Sequence, residues 1–326
     1  MGIPVVDPAG TVTLAAVREA ARALEGIAVR TPIVDLPALA DRLGVPVGVK
    51  CEQLQPIGAF KIRGAYTALA RIAREGRARG VVTLSSGNHG QAIAYAARRF
   101  GLRAVVVMPR STPQVKVDGV RRHGGEVIFA GEVRSAEQGE RAQQIMRDEG
   151  LELVPPYDHP DVVTGQATVG LEILEQRPDV ETILSPVSGG GLLAGISIAV
   201  AAIKPSVRLV GVEPEGAAKL TAALAAGEPR TLERTGSMAD GLLTPSVGSF
   251  TWPILRRVVR EAVQVSESAI GEAVRFLHKE AGLRVEPSGA VTTAALLSGR
   301  FRPTGPTVAV ASGGNVDPEL FQRLAG

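Results

Sequence analysis

The chain has 326 residues, 45% of them hydrophobic and only 3% aromatic, which is enough to bury a large core as one big domain or two coupled ones. Lys and Arg number 36 against 33 Asp and Glu, and a net charge of +3 excludes any argument for nucleic acid from charge. The pairs Arg121-Arg122 and Arg256-Arg257 lack aromatic neighbours and read as solvated surface.

The single cysteine, Cys51, rules out an internal disulfide and fits a reducing compartment. It lies in an apolar run and reads as a small buried residue. Residues 1–8 have no basic region followed by an apolar segment, so no signal peptide is expected. Val6 breaks the myristoylation pattern. Lys204 and Pro205 interrupt the best candidate for a membrane span. A soluble, cytoplasmic protein is expected.

In chain order, helices are predicted over 14–24 and near 36–43, and a strand over 47–52. Phe60, Ala65, Tyr66, Leu69 and Ile72 recur at helical spacing after the turn residue Gly58, so Lys61 sits where a helix begins. Strands over 80–84, 104–108, 126–130 and 151–155 then alternate with helices over 92–100, 114–123, 136–149 and 163–176. The alternation continues with strands 182–187 and 208–213 and helices 192–203 and 217–226. Residues 227–248 form a polar loop long enough to suggest a functional role. A helix over 268–281 capped by Ser266, a helix from 286 to 297 and a strand over 307–311 complete the pattern. The strands are continuous apolar runs, which predicts an α/β architecture of parallel strands covered by helices on both faces.

Three strand ends turn into small-residue loops before a helix: 85–90, 188–191 and 312–314. Ligands in open α/β sheets bind beyond the carboxyl ends of strands, where helix N-termini offer free N–H groups to anions. Ser188, Gly189, Gly190 and Gly191 are the phosphate candidate, because consecutive glycines let the backbone close round an oxyanion. A tight strand-helix turn is the plain alternative. The same stretch also matches a dinucleotide fingerprint, with Gly189, Gly191 and Ala194 followed by Glu213 as a ribose acid. A nicotinamide-dependent oxidoreductase therefore stays open, as does a non-catalytic binding protein. Ser85, Ser86, Asn88 and His89 are read either as ordinary helix capping or as a carboxylate site. A first-turn lysine faces the positive end of the helix dipole, which favours the neutral amine that a Schiff-base lysine needs. A solvated helix lysine is its plain alternative. There is no HExxH, CxxC or paired-histidine pattern, so no zinc site is predicted.

Taken together, 58–64, 85–91, 188–192, 286–290 and 312–315 occur in the order and spacing of the fold-type II pyridoxal-phosphate enzymes, and the chain resembles the serine/threonine dehydratase and serine racemase family over nearly its whole length. The resemblance implies the tryptophan-synthase-β-like fold in two lobes, a large one over 1–79 and 156–326 and a small one over 80–155. It implies pyridoxal 5'-phosphate as cofactor, an amino acid as substrate and a homodimer. Lys61 would carry the cofactor as a Schiff base and act as the base on one face. Phe60 would pack on the pyridine ring and Asn88 would bond its 3′-oxygen. Ser188, Gly189, Gly190, Gly191 and Leu192 would cradle the phosphate, and Ser312 would meet the pyridine nitrogen. A hydroxyl there leaves the ring a weaker electron sink than a carboxylate would, which favours β-elimination over transamination.

The expected reaction is dehydration and deamination of a β-hydroxy amino acid such as L-threonine or L-serine to a 2-oxo acid and ammonia. Ser86 matches the second catalytic base of serine racemase, which keeps racemisation open. Ser85, Ser86, Asn88, His89 and Tyr157 would bind substrate. Tyr157 and Gln138 stand where the racemase has different polar groups, which widens the substrate range to other β-hydroxy amino acids. Ala59 stands where the family usually has serine. The racemase-like cation site uses a glutamate, a carbonyl and an aspartate; Glu213 and Ala217 match, but Lys219 replaces the aspartate, its ammonium can occupy the cation's place, and no bound metal is expected. The regulatory module of biosynthetic threonine dehydratases is expected to be absent.

Overall fold

The computed structural model describes residues 10, 12–76, 78–85, 87–112, 114–133 and 136–326. The readings made on residues 1–8 and on Ser86 lie outside the described residues. Ten strands occur among the described ones: β1 (Ile33–Asp35), β2 (Val47–Cys51), β3 (Gly80–Leu84), β4 (Arg103–Met108), β5 (Glu126–Phe129), β6 (Glu152–Leu153), β7 (Thr182–Pro186), β8 (Arg208–Pro214), β9 (Glu261–Val265) and β10 (Thr307–Ala311). They form two sheets, one in the order β1-β2-β10-β7-β8-β9 and one in the order β5-β4-β3-β6.

Every pairing is parallel except β1 with β2, where Ile33 faces Lys50 and Asp35 faces Gly48. The purely parallel expectation fails there: residues 36–46, with the short helix Pro37–Leu43, join these strands, and a parallel crossover needs about a dozen residues or more. Strand β10 comes last in sequence but inserts between β2 and β7, with Ala311 opposite Cys51 and Val308 opposite Ile183. The strand order therefore reverses beside β10, the kind of crevice where α/β sheets take ligands.

Helices cover both faces of the larger sheet. Pro160–Gln176 and Gly191–Ile203 pack on one side around Val163, Ile173, Leu193 and Ile196. Glu267–Ala281 and Pro287–Leu297 pack on the other around Ile270, Val274, Val291 and Ala294. Burial from both sides explains why β2, β7 and β10 are buried at every position. On Lys61–Glu75 the buried residues Ile62, Ala65, Leu69 and Ile72 fall at helical spacing and meet Ala92, Ile93 and Ala96 of Asn88–Phe100.

Some elements differ from the sequence reading. The helix Thr251–Val258 and strand β9 were not expected, nor was the terminal helix Pro318–Ala325. The first contains Pro253 and runs only eight residues, too few for a clear period. Strand β6 pairs over two residues rather than five. Ser266 does cap the helix Glu267–Ala281, accepting from Ala269 N at 3.3 Å.

Candidate active site

Lys61 is the first residue of its helix. The chain before it is stitched to the end of β10: Ala59 bridges Gly313, and Phe60 N donates to the Ser312 carbonyl at 3.1 Å. Gly58 holds φ at 71°, a region that favours glycine, and a Cβ there would crowd the Asn315 amide. The Lys61 amine donates to the Pro156 carbonyl at 2.6 Å and stands 5.1 Å from the centre of the Phe60 ring. No carboxylate among the described residues pairs with it. Burial lowers its pKa from 10.5 to about 8. The cause is desolvation, which penalises the charged form, where the sequence reading invokes the helix dipole.

This amine opens into a cavity of about 420 Å³. The cavity brings together Phe60, Lys61, Ser85, Asn88, His89, Tyr157, the stretch Ser188 to Leu192, and Ser312. Ser85 Oγ accepts from Gly87 N at 3.2 Å and Gly90 N at 3.1 Å, while the N-cap of the helix Asn88–Phe100 is Gly87, with no side-chain cap of its own. Asn88 donates to Glu286 Oε1 at 2.6 Å and accepts from Asn315 Nδ2 at 2.8 Å, which fixes its amide plane. His89 is buried and its Nε2 must donate to the Val154 carbonyl at 3.1 Å, since a carbonyl only accepts. Its Nδ1 is then an acceptor, buried without a partner. Burial and the Lys61 charge push its pKa down to about 3, so the ring is neutral.

The glycine turn has a more particular cause than the sequence suggested. A Cβ at Gly189 would overlap the Tyr157 ring, and one at Gly191 would stand 2.9 Å from Tyr157 Cβ. Gly190 adopts φ 94°, with Leu255 and Thr251 behind it. From the far side, Thr251 Oγ1 donates to Gly189 O at 2.7 Å and Gly248 N donates to the same oxygen at 3.0 Å. Asp158 caps that outer segment, accepting from Ser249 N and Oγ, Phe250 N and Thr251 N at 2.9–3.2 Å. The turn opens the helix Gly191–Ile203, and the amide groups of Ser188 to Leu192 donate to no acceptor among the described residues. Ser188 Oγ lies 3.0 Å from Thr244 Oγ1.

Several lining residues carried no local motif. Lys116 and Asp240 form an ion pair across the cavity, joining the helix Gln114–Arg122 to the turn Asp240–Leu242. Residues 240–245 thus bring the long polar loop to the site. Glu286 lines it too; burial, with the Asp240 charge, pushes its pKa up to about 7. Gln138, which stands where the racemase has a different polar group, lines the cavity with its amide nitrogen held by the carbonyls of Ala130 and Val133. Proximity of these groups is set by helices packing across two sheets, so spacing in sequence held no signal for it.

A buried amine of lowered pKa, beside a helix N-terminus with free amides and below the ends of parallel strands, defines an enzyme site for an anionic carbonyl cofactor. Residues 24–313 match the family described as pyridoxal-phosphate dependent enzyme, and the chain belongs to that family. It is 38% identical to the L-threonine ammonia-lyase of Thermotoga maritima, over 96% of this chain and 78% of that one. It is 41% identical to the serine racemase of Arabidopsis thaliana, over 88% of each. Among solved structures, maize serine racemase superposes with a TM-score of 0.92 at 36% identity, over 96% of each chain. The fold is the fold-type II pyridoxal-phosphate architecture.

The residues present fit that cofactor: the Lys61 amine, held among the described residues only by the Pro156 carbonyl and near pKa 8, the free amides of the glycine turn and a cavity in the size range of small-molecule sites. The nicotinamide alternative is overturned by the family match and by Glu213. This would-be ribose acid is fully buried, and its carboxylate is taken by Leu220 N, Thr221 N and Thr221 Oγ1. The non-catalytic alternative falls with it. Among the described residues, no helix is long and apolar enough to cross a membrane.

Proposed function

We propose that this chain is an ammonia-lyase that eliminates water from a β-hydroxy amino acid such as L-threonine or L-serine, the released enamine then taking up water to give a 2-oxo acid and ammonia. The observation that carries the reading is the Lys61 amine, buried and held near pKa 8 in the cavity that also holds the free amides of the glycine turn. When bound, pyridoxal phosphate supplies an aldehyde for amines and a ring that spreads negative charge from the substrate Cα. Lys61 would hold the aldehyde, Phe60 the ring face, Asn88 the 3′-oxygen, Ser188 to Leu192 the phosphate and Ser312 the ring nitrogen. Lys61 Nζ then takes the Cα proton, and its lowered pKa makes it a competent base near neutral pH.

The amide end of the helix Asn88–Phe100, with Ser85 and the neutral His89, receives the substrate carboxylate. Tyr157 bounds the side-chain end. Ser312 is a hydroxyl rather than a carboxylate, which supports elimination over transamination. The cavity draws residues from both sheets, and this supports a small lobe over 80–155 set into a large one over 1–79 and 156–326. A cytoplasmic homodimer is the assembly proposed, on the family resemblance.

Racemisation is the second reading, favoured by the similarity to serine racemases and by the resemblance that gives Ser86 the role of a second base. One assay separates them. The enzyme is given L-threonine, L-serine and their D forms; ammonia, 2-oxo acid and the chirality of recovered substrate are measured. Ammonia in step with 2-oxo acid is expected, with Ser86→Ala abolishing any inversion and sparing much of the elimination. Borohydride should fix the cofactor on Lys61. A colourless protein with no adduct there, or equal loss of both activities in Ser86→Ala, would contradict these assignments.

A further inference from the structure

Strand β8 ends at Pro214, and the turn Glu215–Ala217 leads into the helix Lys219–Ala226. Lys219 is the first residue of that helix, and its side chain is fully buried. Both facts are unfavourable for an ammonium: it faces the positive end of the helix dipole and has lost its water. Its surroundings compensate. Nζ donates to the Ala217 carbonyl at 2.6 Å and the Leu242 carbonyl at 3.0 Å, and lies 3.3 Å from Glu213 Oε1. Three donors thus meet three oxygens. Glu213, equally buried, uses its other lone pairs on Leu220 N at 2.8 Å, Thr221 N at 2.9 Å and Thr221 Oγ1 at 3.0 Å. Burial draws the lysine pKa down, and the Glu213 carboxylate opposes that.

Two carbonyls and a carboxylate converging on one point are the ligand set of a hard cation. The cation site that the family resemblance implies falls on the same residues, but the third ligand has become the cation. A metal ion does not fit where an ammonium already takes all three oxygens. We infer that Lys219 is a tethered cation that permanently fills an oxygen cage, tying the end of β8 to the wall of the active-site cavity without a free metal ion. The tie reaches the site through Leu242. The turn Asp240–Leu242 lines the cavity, Gly241 N donates to Ser288 Oγ at 2.9 Å, and Asp240 pairs with Lys116. Lys219 is therefore a positioning residue, and the inference does not depend on which amino acid the cavity takes.

The test uses the holoenzyme and reads melting temperature, KM and kcat. Wild type is compared in EDTA, Mg²⁺, Ca²⁺ and K⁺; no change in melting temperature and no calorimetric heat of Ca²⁺ binding are expected. Lys219→Met removes the charge and keeps the length, so a lowered melting temperature and a raised KM should follow, unresponsive to cations. Lys219→Asp leaves two carboxylates and two carbonyls round an open cage, and Ca²⁺ or Mg²⁺ should restore both readings in proportion to occupancy. Lys204→Met removes a lysine that is held by the carbonyls of Pro178 and Val180 and does not line the cavity, and its melting temperature should ignore cations. Stabilisation or activation of wild type by a divalent ion would overturn the inference even if the variants failed to fold. So would a Lys219→Met enzyme that matched wild type in melting temperature and KM, or a folded Lys219→Asp enzyme indifferent to cations.

Discussion

Replacing Arg63 by Met should unfold this protein far more readily than any surface change. Arg63 is 1% exposed, two residues past Lys61. Its guanidinium grips Glu52 through Nε and Nη2, both at 2.8 Å, and Glu172 at 2.6 and 3.0 Å. It also donates to Thr168 Oγ1 at 3.1 Å and the Val29 carbonyl at 3.2 Å. Lys50 is the other cation of the cluster, on Glu172 at 2.5 Å. Without Arg63, Glu52 is left fully buried with Thr31, Gln55 and the field of Lys50. Removing one partner of a buried ion pair costs about 3–5 kcal/mol, because the other charge stays desolvated.

The deficit should depend on pH. In the wild type, burial pushes the Glu52 carboxyl up, but Arg63 outweighs it and holds the pKa below the usual 4.5. That contribution is fully present above pH 4.5 and is lost only as pH falls through the lowered value. In the variant, burial dominates and the pKa rises above 4.5, so stability is lost as pH rises through the raised value. The gap between the two proteins should therefore be widest at pH 8 and narrow toward pH 5. Equilibrium unfolding in urea at both pH values measures it, and Arg63→Met/Glu52→Gln should recover part of the loss. A deficit below about 1 kcal/mol, or one that widens on acidification, would refute the argument.

Reaction of cofactor-free protein with pyridoxal phosphate should accelerate as pH rises through about 8, because the neutral Lys61 amine is the reacting form; stopped-flow absorbance reads this, and a rate flat from pH 7 to 9 would contradict it. Gly189→Ala should collide with the Tyr157 ring and cost about 1–3 kcal/mol, with weaker cofactor retention. Tyr157→Ala in the same chain should restore retention, measured by equilibrium dialysis. Asp158→Ala removes the cap on the Thr251–Val258 segment and should cost about 1–2 kcal/mol in thermal unfolding, with faster cofactor loss through Thr251 and Gly189.

Much of the site was legible because its chemistry is local. A lysine after a turn glycine, a hydroxyl-rich helix start and a run of glycines each carry their signal in a few neighbouring residues. The reasons assigned to them were less complete. The lowered Lys61 pKa has desolvation as its cause in the structure, and desolvation is set by the Pro156 segment almost a hundred residues on. Gly189 and Gly191 face Tyr157, a contact with no trace in their own stretch. The helix Thr251–Val258 escaped notice because it is short and contains Pro253, yet it backs the glycine turn.

Sequence by itself determined the alternation of strands and helices, the parallel α/β class and the cofactor family, because hydrophobic period and short motifs are properties of neighbouring residues. Tertiary structure alone decided that β10 inserts between β2 and β7, that Lys116 meets Asp240 over the cavity, and that the distant Leu242 carbonyl joins Glu213 and Ala217 around the Lys219 ammonium. The reason is physical: each of these depends on distances across packed layers, and a side chain's charge state follows from what the rest of the chain buries around it.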